Sequence, residues 1–215
     1  MNSLILDCSA GLNVILLKDD EEFLFVDESK QKHSDDLLVV IDDLLKKAKL
    51  EIKQIDNICV CVGPGSFTGV RVAISVCKGL AIGTGANIYT LSNFDIFEYE
   101  NCEDLIFVLD GFSDFVYVRI LENDNKRDYC IKISALKEKL INKNYTIYVE
   151  NEKVQNKLKL IEINSKIAIK NTKNAFLYKI NNNEKVELNE ILPIYLRASQ
   201  AEIERNKKLN GENNE

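Results

Sequence analysis

The sequence predicts an α/β fold, and three observations carry the prediction. Short β-type segments at the N-terminus give way to alternating β-length and helix-length segments, the order expected of strands and helices packed in layers. The stretch 55–62 is apolar at odd and even positions alike (Ile58, Val60 and Val62 interleaved with Cys59 and Cys61), as for a strand buried on both faces of a sheet. A glycine-rich turn, Gly63-Pro64-Gly65-Ser66-Phe67-Thr68-Gly69, then joins that strand to an apolar run of helical length. Six of the nine glycines fall between 63 and 85, which makes this junction the organising point of the chain.

Composition narrows the class. A chain of 215 residues can bury a substantial core, as one domain or two small ones. With 46% hydrophobic and 29% charged residues it reads as a soluble globular protein. Acidic residues outnumber basic ones 34 to 28, a net charge of −6 that makes the chain a poor candidate for gripping nucleic acid by its own surface. The N-terminus reads as a strand, not a signal peptide, and apolar runs fall short of a membrane span, so a cytoplasmic protein with no membrane contact is expected. Cys8, Cys59, Cys61, Cys77, Cys102 and Cys130 lack Cys-x-x-Cys spacing and lie mostly in apolar segments. With His33 the only histidine, this predicts reduced thiols, no structural disulfide and no metal site.

In order, 3–8, 12–17 and 23–26 read as a meander of three strands. Asp7 stands where the first strand meets its turn, suited to cap the turn or to face a metal-nucleotide. A helix follows at 34–49: Ser34 suits the N-cap, Asp35 and Asp36 the first turn, Lys46, Lys47 and Lys49 the last. Leu37, Ile41, Leu44 and Ala48 form its apolar stripe, Leu38 and Leu45 widen it, and Val39 interrupts the polar side; Asp42 and Lys46 can pair at i,i+4. The helix after the glycine turn spans 69–84, capped by Ser66 or Thr68. Val70, Ala73, Ile74, Cys77, Leu80 and Ala81 occupy one side; Val72, Val76, Gly79 and Gly83 form a second; only Arg71, Ser75 and Lys78 are polar. A helix this apolar has two buried faces, one for the sheet and one for a neighbour or a partner. The expected partner surface is therefore Leu38, Val39, Asp42, Leu45 and Lys46 on the first helix with Arg71, Val72, Ser75, Val76, Gly79 and Gly83 on the second.

A strand at 87–91 and a short helix at 93–99 complete a first lobe, 1–100. A composition shift at 98–104 opens a second, 101–200, with strands at 105–109, 115–121, 127–133 and 145–149 and helices at 134–141 and 174–180. The Asn- and Lys-rich stretch 142–189 gives few periodic signals. The second lobe is too short for a full copy of the first, and its C-terminal segment is free to return to it. A surface helix fits 198–207, and 201–215 reads as a polar tail.

Taken alone, the residues leave the glycine turn open between two roles. Its backbone N–H groups at a helix start could hold an anion. It lacks a Gly-Lys-Ser/Thr ending and misses Gly-x-Gly-x-x-Gly spacing by one residue, so a tight turn packing helix on sheet is the other role. The run Gly63 to Val72, followed by Lys78-Gly79-Leu80-Ala81, resembles the signature of the TsaB (YeaZ) family. Asp7-Cys8-Ser9 resembles that family's Asp-Thr-Ser, His33-Ser34 its His-Ser, Asp110 the start of its Asp-Ala-Arg, and Pro193-Ile194-Tyr195-Leu196-Arg197 its Pro-x-Tyr-Leu-Arg. The chain departs from the pattern at Phe112, where the family has arginine, and at Phe115, where it has glutamate.

The resemblance implies an actin-like fold, of the sugar-kinase and Hsp70 ATPase type, with two lobes of which the second is truncated. It implies a non-catalytic dimerisation subunit without a cofactor. Its partner would be a TsaD-like catalytic subunit, with a TsaE-like ATPase in the same complex and a homodimer when alone. The complex would place threonylcarbamoyl on N6 of adenosine 37 of tRNAs reading codons that start with A, and this chain would meet tRNA only indirectly. Asp7, Ser9, Gly63, Gly65, Ser66, Thr68, Gly69 and Asp110 would then be remnants of nucleotide loops, with no catalytic residue. Two further readings stand beside it: an ATP-dependent phosphotransferase or carbamoyl-type transferase in its own right, and a metalloprotease.

Overall fold

The computed structural model describes residues 1–27, 33–98, 104–122, 125–140, 144–159 and 162–197. The side chains of His33, Ser34 and Asp35, Cys102, the expected helix at 198–207 and the tail 201–215 lie outside the described residues.

The N-terminal meander forms as its alternation demands: β1 (Asn2–Asp7), β2 (Leu12–Lys18) and β3 (Glu21–Asp27) pair antiparallel, with Leu4 opposite Leu16. Helix α1 (His33–Ala48) carries the chain across to β4 (Asn57–Cys61), parallel to β1 and buried at all five positions. Helix α2 (Phe67–Thr84) leads to β5 (Asn87–Leu91), parallel to β4. The sheet order is β3-β2-β1-β4-β5. Alternate strand residues serve opposite faces. Leu4, Leu6, Val14, Leu16, Ile58 and Val60 meet Leu37, Ile41 and Leu44 of α1 and Val70, Ala73, Ile74 and Cys77 of α2. Ile5, Cys59, Cys61, Tyr89 and Leu91 face the other way, onto Phe176. By length and composition α2 could cross a membrane, contrary to the expectation from apolar runs. It lies along the sheet with its Val70–Ala73–Cys77 side in the core.

The expected helix at 93–99 is absent. Residues 93–96 form a turn that ends in β6 (Phe97–Glu98). The backbone N–H of Ser92 donates to the Asp95 carboxylate, and the Phe94 N–H to the Ser92 hydroxyl. Such local side-chain acceptors compete with helical hydrogen bonding. The second sheet follows: β7 (Asp104–Asp110), β8 (Phe115–Glu122), β9 (Asn125–Lys132), α3 (Ile133–Lys139), β10 (Thr146–Val149), α4 (Glu152–Lys159) and β11 (Lys166–Ile167). Its order is β11-β10-β7-β8-β9. Numbered from β7, this is the first sheet's 3-2-1-4-5 again, so the second half repeats the strand count on shorter helices and a two-residue last strand. Helix α4 has no counterpart among the sequence expectations.

Strand β12 (Ile169–Lys170) pairs with β6, and α5 (Thr172–Asn181) returns to the first sheet beneath β5. The chain beyond it adds to the same sheet: Val186 N–H donates to Ile88 O and Ile194 N–H to Val62 O. Between the sheets Phe94 and Phe97 pack on Phe107 of β7. Above Phe94 sits the guanidinium of Arg119 on β8, 4% exposed. It donates to both Asp128 oxygens at 2.8 and 2.9 Å and to Asp95 at 2.5 Å, joining β8 and β9 to the turn after β5.

Candidate functional site

Strands β1 and β7 hold the same place in their sheets, and each ends in an aspartate. Asp7 is buried. Its Oδ1 accepts from the Ser9 backbone N–H at 2.9 Å and the Ser9 hydroxyl at 2.5 Å, while Lys170 Nζ lies 3.8 Å from Oδ2. Asp110 accepts from Lys153 Nζ at 2.5 Å and Lys157 Nζ at 2.6 Å, and its own N–H donates to Glu150. Burial pushes the Asp110 carboxyl up, but the two lysine hydrogen bonds outweigh it and hold the group below the ordinary carboxylate value. Burial, with the Asp110 charge nearby, raises Glu150. Both strand-end carboxylates thus already face ammonium groups of this chain.

The glycine turn is closed on its own lobe. A Cβ on Gly69 would stand 2.0 Å from Cys8 O, and one on Gly65 2.5 Å from Ser9 O. Ser66 N–H donates to Ser9 O at 2.7 Å, and the Ser66 hydroxyl caps α2 by accepting from Gly69 N–H. Gly63, at φ 97°, precedes a cis peptide to Pro64. Asn93 locks the cluster: its side-chain amide donates to Ser9 Oγ at 2.6 Å and Pro64 O at 2.8 Å. The glycines are needed because the backbones of 8–9 and 63–69 touch, and the Ser66 and Gly69 N–H groups are satisfied internally. Thr68 is exposed. Among the described residues no group of three His, Cys, Asp or Glu is placed to hold a metal ion. Cys8, Cys59, Cys61 and Cys77 are buried free thiols, and burial pushes Cys8 and Cys77 up to about 12.

The helical face is different in kind. Leu38 and Val39 on α1 are 57% and 58% exposed, and Ile82 on α2 is 72% exposed. Val72 and Val76 are half-buried against the core. Arg71, Ser75, Gly79 and Gly83 are exposed, and a Cβ on either glycine would meet nothing within 4 Å. Asp42 and Lys46 pair on the surface at 2.5 Å. The two helices are neighbours on one side of the sheet. Leu45 is a correction: at 6% exposure it belongs to the core, because Leu45 extends the Leu37–Ile41–Leu44 stripe toward the sheet. Ile82 was not anticipated. The signal was present, since Arg71, Ser75 and Lys78 define a polar stripe that Ile82 continues with an apolar residue. The remaining expected surface residues lie on the neighbouring helices α1 and α2, whereas Asp7 and Asp110 sit on separate sheets.

A profile described as TsaD: tRNA N6-adenosine threonylcarbamoyltransferase matches residues 27–176, more than half of the chain. The tRNA threonylcarbamoyladenosine biosynthesis protein TsaB of Haemophilus influenzae is 32% identical over 120 residues, covering 53% of this chain and 51% of that protein. The chain thus spans about half the length of the curated relatives it matches. The tRNA N6-adenosine threonylcarbamoyltransferase of Persephonella marina is 35% identical over 83 residues, covering 36% of this chain and 24% of that one. Among solved structures, YeaZ from Pseudomonas aeruginosa superposes with a TM-score of 0.67 at 21% identity, over 91% of this chain and 99% of that chain. That likeness and the duplicated sheet order make the fold actin-like. The chain belongs to the TsaD family, and within it to the TsaB (YeaZ) members.

Proposed function

We propose that this chain is a non-catalytic subunit of the machinery that installs threonylcarbamoyl on N6 of adenosine 37 of tRNA, and that it works by binding a TsaD-type catalytic subunit. The observation that carries the reading is the helical face: Leu38, Val39 and Ile82 stand exposed beside half-buried Val72 and Val76, around two glycines open to solvent. A specific interface removes about 800 Å² from each partner, which two adjacent helices can supply. The loops where an actin-like enzyme would hold its nucleotide are occupied by internal hydrogen bonds and lysines, which supports a structural part over a catalytic one. In this reading, affinity for the active shape of the catalytic subunit is what raises activity. A TsaE-type ATPase belongs to the same complex, the same helical face pairs two copies when the partner is missing, and the chain acts in the cytoplasm.

Gly79→Glu tests the reading. The new side chain points into open space and replaces a mid-helix glycine, so the monomer should fold and melt at or slightly above wild type. A charge buried at the centre of the interface without a mate should weaken capture of a TsaD-type subunit by about 100-fold. The tRNA modification that depends on the pair should fall in step. Binding within threefold of wild type would remove α2 from the interface and the reading with it.

A further inference from the structure

The β7–β8 turn carries Phe112 at 70% exposure. The turn does not need a phenylalanine there. Its shape is set by Gly111, where a Cβ would strike Phe115 O at 2.3 Å, and by Ser113, at φ 58°. The guanidinium of Arg197 lies 4.7 Å from the centre of the Phe115 ring and 5.7 Å from that of Phe112; Lys132 Nζ lies 5.9 Å from Phe115. Two residues before Arg197, Tyr195 stacks on Phe67 at 4.4 Å, and Arg71 covers Phe67 at 3.9 Å while donating to the Tyr195 hydroxyl at 2.6 Å. Rings and guanidiniums therefore alternate from the start of α2 across to the second lobe. Lys153 and Lys157 sit behind the turn on Asp110, with the Glu150 carboxyl beside them, and Asp114 is a further acid of the turn; with Arg71, Lys132 and Arg197 the cations still outnumber these acids. In a chain of net charge −6 this corner is locally basic.

We propose that this track binds single-stranded RNA. Every base offers a ring face that an exposed aromatic can stack on, and a strand of phosphates suits the arginines and lysines between the rings. A duplex would present its phosphates but keep its base faces inside, out of reach of Phe112 and Tyr195. An aliphatic protein partner would match the helical face of α1 and α2, not a row of cations stacked on rings. Phe112 and Phe115 depart from the resembled pattern of arginine and glutamate, whereas Phe67, Arg71, Tyr195 and Arg197 fall within the resembled motifs, so only the outer end of the track is particular to this chain. The proposal rests on the tRNA-modification reading only in choosing RNA over DNA.

The test uses the full chain alone, with no catalytic subunit, and a fluorescently labelled unstructured RNA of about ten nucleotides, read by anisotropy at low ionic strength over a salt series. Phe112→Ala, at an exposed position, should leave the circular dichroism unchanged and weaken binding roughly 5- to 100-fold, the loss of about one stacked base, without altering the salt slope. Lys132→Gln should reduce the slope of log affinity against log salt by about 0.7, one phosphate contact on a single strand. The proposal is overturned if wild type does not bind, if a duplex of the same length binds as tightly, or if Phe112→Ala binds like wild type. It is equally overturned if Phe112→Ala spares RNA binding but impairs capture of a TsaD-type subunit, which would make the corner a protein contact. Failure of the subunit reading is registered separately, by Gly79→Glu.

Discussion

Replacing Arg119 by alanine should be among the most damaging single changes in this protein. The guanidinium is 4% exposed and makes a two-pronged contact with Asp128, a third short hydrogen bond to Asp95 and a stacking contact with Phe94. Removing one member of a buried ion pair costs about 3–5 kcal/mol, because the partners are left charged and unmatched. Asp95 and Asp128 keep 30% and 20% exposure, so water recovers part of the loss and the lower end, about 3 kcal/mol, is expected. For a chain of this size each kcal/mol moves the melting temperature by about 2–4 °C, so Arg119→Ala should melt about 6–12 °C below wild type. Urea titration should give a matching loss of midpoint. Acid adds a second readout. Burial pushes Asp95 up, but the Arg119 and Lys126 charges outweigh it and hold it below its ordinary value of 3.8. A depressed folded value contributes stability above the ordinary value and loses it as pH falls through the folded one. The gap between wild type and variant should therefore narrow on acidification below about pH 4. A melting loss under about 3 °C, or a gap independent of pH, would refute the assignment of Arg119 as the pin between the lobes.

The glycines of one helical segment should split in opposite directions. Gly69→Ala forces a Cβ to 2.0 Å from the Cys8 carbonyl and should destabilise by several kcal/mol or prevent folding, whereas Gly79→Ala, in open space, should stabilise by about 0.5–1 kcal/mol in urea titration. Glu150→Gln keeps the acceptor for the Asp110 N–H and removes a carboxyl that burial has raised above 4.5. A raised carboxyl loses stability as pH climbs from its ordinary value through its folded one, so the variant should gain on wild type as pH rises above 4.5 and match it below; a difference that stays constant as pH rises through that point would show Glu150 to be uncoupled from folding. Cys8, Cys59, Cys61 and Cys77 should resist a thiol reagent until the protein unfolds, while half-buried Cys130 reacts earlier in the native state; prompt native labelling of Cys59 or Cys61 would contradict their burial.

The first lobe was legible because its signals are local and redundant. The double-faced apolar run became β4, the turn became the junction to α2, and Ser66 became its cap. The helix at 93–99 failed because Phe94 and Ile96 are apolar for two separate cores, and the side chains of Ser92 and Asp95 take up the backbone groups a helix would have used. Helix α4 escaped notice because only Val154 and Leu158 tie it to the core, amid lysine, asparagine and glutamine. Their i,i+4 spacing, three and seven residues after Asn151, which accepts from the Val154 N–H, was the available signal. Arg119 could not be paired from sequence, since its partners lie 24 residues before and 9 after it on different strands and turns. The glycine turn was legible as a close approach. That the approach is to Cys8 and Ser9 of the same chain is a three-dimensional fact that no local pattern encodes.

The return of α5 and residues 186–194 to the first sheet governs how the protein can be made. Synthesis delivers domains N-terminal first, at about 5–20 residues per second. Here strands β1 to β5 leave the ribosome as a sheet with only one face covered. Ile5, Cys59, Cys61, Tyr89 and Leu91 wait for Phe176, and Val62 waits for the backbone of Ile194. For several seconds the nascent chain therefore displays an apolar sheet face, attractive to chaperones and to other nascent copies. A fragment cut anywhere between β5 and α5 would keep that exposure for good, so the first lobe cannot be excised as a continuous stretch of sequence.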